Sequence, residues 1–241
     1  MQACIFLSDR SLGKSRNRRA NLGETPGTGR TRETQQAHII ACAERVFADH
    51  GFAGATMSRI AETAGLPKAN LHYYFGTKQR LYRAVLENIL TLWLDDMDPI
   101  VPENDPAAAL SAYIAAKMAH SRKRPHASKV FAAEILHGAP ELRAYLGLDL
   151  RRKVAEKSAV IEAWMARGLI APVDPRHLFF TIWAMTQTYA DFDTQMAAVL
   201  GIDKLDTGDY ATGAATITRL VLRGLGIAPA DETMQQQRRT A

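Results

Sequence analysis

Apolar residues recur at intervals of three and four along most of the chain after Arg32, and this spacing constrains the fold more than any other feature. Such spacing places side chains on one face of an α-helix, whereas a half-buried strand needs strict alternation. No segment between turn signals alternates in that way, and no internal repeat is found. The 241-residue chain is therefore predicted to be all-α.

Glycine, proline and capping residues predict where the helices begin and end. Gly51 is expected to stop the first helix, and Thr56 and Thr77 to cap the second and fourth. Pro67 suits the first position of the third helix, where its missing N–H has no cost. We expect helices at about 32–50, 57–64, 67–75, 78–94, 107–122, 127–137, 140–167 (with a break near Gly147), 174–198 and 208–225.

The composition favours a protein of the reducing cytoplasm. Two cysteines, Cys4 and Cys42, cannot form a disulfide framework. No apolar run approaches the roughly 20 residues of a membrane helix, and the first ten residues do not resemble a secretory signal. We therefore predict a cytoplasmic protein without a membrane partner.

Positive charge is concentrated near the N-terminus. Residues 1–80 carry 12 Lys and Arg against 6 Asp and Glu, whereas residues 81–241 carry 18 against 19. We predict a disordered basic arm over residues 1–31 and a flexible tail over residues 229–241. Such an arm suits a polyanionic partner, and an arm that only keeps the protein soluble is the alternative.

Two short helical segments separated by a glycine turn occupy residues 57–74. In DNA-binding proteins with this arrangement, the first helix braces the second, which enters the major groove. Leu71 and Phe75 are four residues apart and supply the apolar inward face of the second helix. The segment is therefore predicted to read DNA, and an ordinary small helical bundle with exposed polar residues is the alternative.

The side chains expected on the outward face suit DNA chemistry. Lys68 can donate to guanine or a phosphate, and Asn70 can pair with adenine or bind a phosphate. His72 and Tyr73 can reach phosphate oxygens or a base edge, while helix starts suit phosphates. The candidate DNA-binding residues are Thr56, Lys68, Ala69, Asn70, His72, Tyr73, Tyr74 and Lys78.

The segment TMSRIAETAGLPKANLHYYFGTKQRLYRAVL, residues 56–86, resembles the DNA-binding domain of the TetR family of bacterial repressors. Pro67 departs from the family pattern, in which Ser or Thr is commoner. The resemblance implies a helix-turn-helix DNA-binding domain over residues 32–92, with its motif at about 55–74. It also implies a larger helical domain over residues 93–228 for ligand binding and dimerisation.

An amide interrupts the aromatic stripe of the helix expected around residues 177–192. Phe179, Trp183 and Gln187 follow at intervals of four and share one face. A buried amide without a partner costs about 1–3 kcal/mol, so Gln187 needs one. Spacing alone favours a neighbouring protein group, and a bound ligand is the alternative.

From residue 86 to residue 192 the chain resembles the pyrimidine-responsive repressors of that family, in segments that include ILTLWL, EILHGAP and IWAMTQTYADF. The resemblance implies uracil or thymine as the ligand, bound by Trp93, Trp183 and Gln187, with Tyr189 nearby. An indole can stack on a flat pyrimidine, and a glutamine amide complements an N–H beside a C=O.

The last predicted helix carries a narrow apolar stripe formed by Tyr210, Ala214, Ile217 and Val221. Such a face suits close helix packing, either in the core or across a two-fold axis. The family resemblance favours a homodimer that binds a pseudo-palindromic operator.

Glu134 and His137 have the spacing of a helical metal site, but no second Glu-x-x-His segment accompanies them. Packing roles are therefore predicted for both, and no metal or cofactor is expected. The chain carries no evident catalytic constellation and is predicted not to be an enzyme.

The leading prediction is a repressor that uracil or thymine releases from its operator. Three alternatives remain open: a repressor with an unrelated ligand, a pyrimidine-acting enzyme with a DNA-binding appendage, and a constitutive DNA binder.

Overall fold

A computed structural model describes the backbone of residues 26–227 and the side chains of residues 32–227. The predicted all-α class is confirmed: this part of the chain contains helices and no strands. None of its helices is both long and apolar enough to cross a membrane. The α-helices are α1 (Pro26–Gly54), α2 (Met57–Ala64), α3 (Lys68–Phe75), α4 (Lys78–Asp95), α5 (Pro106–Lys123), α6 (Pro125–Leu136), α7 (Arg143–Tyr145), α8 (Arg151–Ala166), α9 (Pro175–Asp191), α10 (Asp193–Leu200) and α11 (Thr207–Gly224).

Local capping fixes the limits of the short N-terminal helices, as the sequence predicts. The Thr56 side chain accepts from the Arg59 N–H at 3.2 Å, which satisfies one free donor at the start of α2. Thr77 caps α4 in the same way. Gly65 ends α2 in the left-handed conformation, with φ of 64°, which glycine adopts without a side-chain clash.

Two predicted limits in this region are wrong. Helix α1 begins at Pro26, so the predicted disordered arm overlaps the helix by six residues; residues 1–25, and the predicted tail at 229–241, lie outside the described residues. Pro67 precedes α3 as its N-cap, because its ψ of 139° is extended, and the first helical residue is Lys68. Gly51 interrupts α1 with φ of 64°, although helical turns continue to Gly54.

Two further predicted helices are divided. The predicted 174–198 helix stops at Asp191, and the Asp193 carboxylate accepts from the Thr194 N–H at 2.8 Å as α10 begins. The predicted break near Gly147 is a π-helical turn, Leu146–Leu150, which leads directly into α8. A π turn inserts extra backbone into a helix, so it changes the direction of nearby side chains without a loop.

The buried apolar residues form two clusters. The N-terminal cluster packs α1 to α4 together with Ala127 and Val130 of α6. The C-terminal cluster packs α5, α8, α9 and α11 around Tyr113, Trp164 and Phe179. Helix α6 therefore belongs to the N-terminal cluster, and the seam between the clusters runs beside α4 and α5.

The apolar stripe predicted on the last helix packs inside the chain. Ile217 and Val221 of α11 are buried in the C-terminal cluster, which selects the core alternative for this face. The opposite side of α11 exposes Leu220, which is 58% accessible.

Polar contacts at both ends of α6 hold it against the N-terminal cluster. Before its first turn, Arg124 forms an ion pair with the buried Glu44 of α1 and donates to Asn88 of α4 at 3.1 Å. Near its last turn, the buried Glu134 carboxylate accepts from three donors. They are the Tyr82 hydroxyl at 3.2 Å and the backbone N–H groups of Glu141 and Leu142 at 2.7 and 3.2 Å.

Gly213 lies in the middle of α11, directly against the ring of Tyr189 from α9. A Cβ added at Gly213 would overlap the ring and hydroxyl of Tyr189. Alanine normally stabilises a helix interior relative to glycine, by about 0.5–1 kcal/mol. Here we expect Gly213→Ala to lower the free energy of unfolding by about 1–3 kcal/mol, because the packed ring must move. Urea unfolding measures this change.

The matched control places the same alanine at Gly224, where nothing lies within 4 Å of an added Cβ. Adding Tyr189→Leu to Gly213→Ala should recover part of the loss, because the overlapping ring is then gone. A Gly213→Ala protein as stable as the parent would show that Tyr189 moves freely.

Candidate DNA-reading surface and effector pocket

Helix α3 presents a polar surface to solvent while its apolar side packs on the N-terminal cluster. Leu71 and Phe75 are buried, whereas Tyr73 is 72% exposed. The other predicted DNA-binding residues of α3 follow the same division: Lys68, Ala69 and His72 are exposed, and Asn70 and Tyr74 are half-buried. All six therefore lie on an exposed or partly exposed side of one helix.

Internal contacts orient two of these rings. The His72 Nδ1 lies 2.7 Å from the Gly76 carbonyl oxygen, which can only accept, so Nδ1 carries a proton and Nε2 is turned away from this contact. The Arg32 guanidinium lies 5.8 Å from the centre of the Tyr73 ring, within the range of a cation–π contact. The surface therefore carries the His72 imidazole in one orientation and the Tyr73 phenol beside the Arg32 guanidinium.

Thr56 and Lys78 flank α3 but differ in their contacts. The Thr56 oxygen accepts the capping bond, which leaves its own O–H free to donate. The Lys78 ammonium donates to the carbonyls of Phe52 at 2.7 Å and Ala55 at 2.9 Å, and lies 4.5 Å from the Phe52 ring centre. Lys78 thus joins α4 to the end of α1, and its side chain is not free for a phosphate in this arrangement.

A cavity of about 40 Å³ lies at the seam between the two apolar clusters. Three of the four predicted ligand-binding residues line it: Trp93 from α4 and Trp183 and Gln187 from α9. Leu150 of the π turn, Phe131 of α6 and Tyr113 and Lys117 of α5 contribute to its wall. A ligand in this cavity would therefore contact both clusters at once.

The two indoles are held in different ways. The Trp183 Nε1–H donates to the Tyr113 hydroxyl at 2.6 Å, so its polar atom is already paired. Trp93 meets the Phe131 ring edge-to-face, with centres 4.9 Å apart. Both rings are thereby fixed by neighbours, as a pre-formed aromatic site requires.

The Gln187 amide has no hydrogen-bond partner among residues 32–227. It is half-buried and lines the cavity, so a group placed there could satisfy both its carbonyl and its NH₂. Of the two alternatives for this amide, the neighbouring protein group is not found within the described part of the chain.

Lys117 is a cavity residue that the sequence interpretation missed. Its side chain is 3% exposed, and its ammonium lies 3.9 Å from the centre of the Trp93 ring. Burial lowers the pKa of Lys117 to about 8, although the charges of Asp96 and Asp191 oppose that fall. Helical spacing could have predicted this burial, because Lys117 follows Tyr113 by four residues and shares the buried face of α5.

Tyr189, the fourth predicted ligand-binding residue, is not among the residues that line this cavity. Its ring packs against Gly213 and lies 6.0 Å from the Tyr210 ring, centre to centre, outside the cavity wall. Tyr210 also donates to the Tyr189 carbonyl at 3.3 Å. Two positions after Gln187, a helical residue points about 200° away around the axis, which agrees with the place of Tyr189 outside the cavity wall.

Glu134 and His137 have protein partners in place of a metal. Glu134 accepts the three bonds described above, and the His137 Nδ1 lies 2.7 Å from the Ala133 carbonyl. Within residues 32–227 no group of three His, Cys, Asp or Glu side chains could hold an ion.

Two family models together match almost the whole described region. Bacterial regulatory proteins of the tetR family match residues 39–85, and the C-terminal region of YcdC-like proteins matches residues 86–228. The chain belongs to the TetR family. The resemblance seen in the sequence is thus confirmed, and this TetR-family protein is a DNA-binding transcriptional regulator with its helix-turn-helix near the N-terminus.

Several relatives agree with this family. The HTH-type transcriptional regulator RutR of Escherichia coli K12 is 42% identical over 187 residues, which are 78% of this chain and 88% of RutR. The repressor NicS of Pseudomonas putida KT2440 is 28% identical, over 78% of this chain and 91% of NicS. The putative transcriptional regulator SCO4942 of Streptomyces coelicolor superposes with a TM-score of 0.63 at 26% identity, over 79% and 98% of the two chains.

Proposed function

We propose that this regulator represses pyrimidine-utilisation genes and that uracil or thymine releases it from its operator. The observation that carries the proposal is the unpaired Gln187 amide, which lines the same small cavity as the indoles of Trp93 and Trp183. The resemblance to pyrimidine-responsive repressors and the 42% identity to RutR support the same reading.

The chemistry of the cavity suits a single flat ring. Uracil presents an N–H beside a C=O, and the Gln187 amide offers the complementary acceptor and donor. The cavity measures about 40 Å³, against about 300–1,000 Å³ for pockets that hold drug-sized ligands, so even a single ring requires its walls to move outward.

DNA binding is assigned to α3 and the residues before it. Lys68 and Asn70 are the candidates for base contacts, and His72, Tyr73 and the free O–H of Thr56 are the candidates for phosphate contacts. Ala69 leaves room for close approach, and Tyr74 supports the same surface. Lys78 is assigned a bracing role, because its ammonium already donates to protein carbonyls.

A homodimer would present two such helices to a pseudo-palindromic operator. The exposed apolar side chains of the C-terminal helices supply a candidate contact surface: Phe180 is 50%, Phe192 57% and Leu220 58% accessible. Contact between two copies through these residues would bury them, as interface cores require.

Lys68→Ala should weaken binding to the operator by about 1–3 kcal/mol if the ammonium reads a base. Fluorescence anisotropy with operator and scrambled DNA at one salt concentration measures the loss. Lys204→Ala serves as the control, because Lys204 is exposed beyond α10, far along the chain from α3. An equal loss on both DNA sequences would assign Lys68 to a phosphate instead.

Uracil at about 100 times its dissociation constant should stabilise the folded protein by about 2.7 kcal/mol, which raises the melting temperature by roughly 5–10 °C. Gln187→Ala should abolish most of this rise, because the amide is the proposed polar partner. Gln195→Ala, an exposed glutamine of α10 outside the cavity, should leave it intact. Differential scanning calorimetry measures all three proteins.

Release of the protein from operator DNA by different small molecules distinguishes the remaining candidate functions. Uracil or thymine should dissociate the protein from operator DNA in the anisotropy assay. Release only by another small molecule would keep the repressor and replace its ligand. Unchanged binding with every ligand would indicate a constitutive DNA binder, and consumption of uracil by the pure protein would indicate an enzyme.

A further inference from the structure

We propose that the basic chain before Pro26 binds DNA phosphates near the half-site that α3 reads. The proposal concerns residues 1–25, which we call the N-terminal segment, and its partner is double-stranded DNA of any sequence. It rests on the part of the proposed function that assigns DNA reading to α3, and it does not depend on a pyrimidine effector.

The first support is the charge of the N-terminal segment. Its basic side chains outnumber its acidic side chains by five to two. The basic residues are Arg10, Lys14, Arg16, Arg18 and Arg19. This excess is local, because residues 81–241 carry 18 Lys and Arg against 19 Asp and Glu. A polyanion is therefore the partner whose charge complements this segment.

The second support is the place where the segment joins the described part of the protein. The Arg32 guanidinium lies 5.8 Å from the centre of the Tyr73 ring, and Tyr73 is 72% exposed on α3. Pro26, the first residue of α1, precedes Arg32 by six residues, which is about 9 Å along a helix. The N-terminal segment therefore begins close to the surface that is assigned to DNA.

The third support is the charge of that surface. Across α2, α3 and the first turn of α4, the exposed cations are Arg59, Lys68 and Arg80, and the exposed carboxylate is Glu62. A basic segment that folded onto this surface would meet mostly charges of its own sign. DNA placed between them would neutralise both, because a duplex carries one negative charge per about 1.7 Å of its axis.

The length of the segment lets its charges reach DNA beyond α3. An extended chain advances about 3.3 Å per residue, so Arg19 can lie up to roughly 23 Å from Pro26, and Arg10 up to roughly 53 Å. Basic side chains on any backbone can neutralise phosphates, whereas base reading needs side chains held in a groove. The segment should therefore strengthen binding to every DNA sequence alike.

The test neutralises four of these charges together in the full chain, as Lys14→Gln, Arg16→Gln, Arg18→Gln and Arg19→Gln. Fluorescence anisotropy measures the dissociation constants for operator and scrambled DNA between about 0.05 and 0.3 M salt. Each lost phosphate contact lowers the slope of log Kd against log salt concentration by about 0.9, and a dimer has two segments. We expect the slope to fall by about 2 or more, and binding at about 0.1 M salt to weaken at least about tenfold on both DNA sequences.

The matched control removes four exposed charges from the C-terminal part of the chain, as Arg151→Gln, Arg152→Gln, Arg176→Gln and Lys204→Gln. It lowers the net charge by the same amount, so its slope should equal that of the parent. Circular dichroism checks that both variants have the helical content of the parent. A fall in slope as large as that of the first variant would assign the effect to net charge and overturn the inference.

Two further results would overturn the inference. An unchanged slope in the first variant would show that the segment does not touch phosphates, and it would leave the segment a role in solubility alone. A loss confined to operator DNA would assign the segment to base reading. Failure of uracil to release the parent from its operator would overturn the proposed effector, and it would leave the salt slopes and this inference unaffected.

Discussion

Lys117→Met is expected to stabilise the ligand-free protein at pH 7 by about 3 kcal/mol. Burial lowers the pKa of Lys117 from 10.5 to about 8, and that fall corresponds to about 3 kcal/mol of cost for holding the charged form in the folded state. Methionine has a similar length and no charge, so it removes the cost and keeps the apolar contacts. Urea unfolding at constant ionic strength measures the difference.

The pH dependence of the free energy of unfolding provides a second test of this prediction. Between pH 8 and 10.5 the unfolded chain holds the Lys117 proton more firmly than the folded chain does, so the parent gains stability as the pH rises. Lys117→Met lacks this gain, and its advantage over the parent should largely disappear by about pH 10. An advantage that is equal at pH 7 and pH 10 would contradict a buried ammonium.

Other ionisable groups around Lys117 remain in both proteins. Asp96, directly after α4, and Asp191 of α9 act on Lys117 through their charges, and His120 of α5 lies 3.0 Å from Asp96. Burial raises the pKa of Tyr113 on α5. Because the comparison subtracts one protein from the other, their own titrations largely cancel. Lys117 is therefore expected to lower the stability of the folded protein at neutral pH.

Glu134→Leu is expected to lower the free energy of unfolding by about 3 kcal/mol or more. The carboxylate is 3% exposed and accepts from the Tyr82 hydroxyl and from two backbone N–H groups. Leucine accepts from none of them, and each unpaired buried donor costs about 1–3 kcal/mol. Water that enters the site would reduce this loss.

Two further variants test this prediction. Glu134→Gln keeps one carbonyl oxygen and should lose clearly less stability than Glu134→Leu. Tyr82→Phe combined with Glu134→Leu should be less destabilised than the two single losses added together, because one of the orphaned donors is gone. Urea unfolding of the four proteins gives the coupling energy, and strict additivity would show that Tyr82 and Glu134 do not interact.

The sequence predicts the features that depend on neighbouring residues. Thr56, Gly65 and Thr77 fix their helix ends through contacts within four residues, and such short-range contacts can be predicted from the amino-acid sequence. The buried positions Leu71 and Phe75 follow from helical spacing alone. The same reasoning places Trp183 and Gln187 on one face of α9.

Features that depend on contacts between distant residues cannot be predicted from local sequence patterns. The sequence shows Lys117 as an ordinary charged residue, and only the packing of α4, α5 and α9 reveals that it is buried beside Trp93. Tyr189 packs against Gly213, 24 positions along the chain, and does not line the cavity. The interruption at Phe192 is not evident from the helical spacing, which continues through it, and the Asp193 carboxylate accepts from the Thr194 N–H at 2.8 Å where the new helix begins.

Helix α4 connects the candidate DNA-reading surface to the candidate effector pocket. Its 18 residues span about 27 Å, with Thr77 and the end of α3 at one extremity and Trp93 near the other. If it pivots near its middle, a movement of about 1 Å at Trp93 produces a similar opposite movement beside α3. In a two-fold dimer the two movements add, so the distance between the reading helices changes by about 2 Å, more than half the 3.4 Å spacing of successive nucleotides along a strand. Under the proposed function, a molecule as small as one pyrimidine ring would thus set the half-site spacing that the dimer accepts.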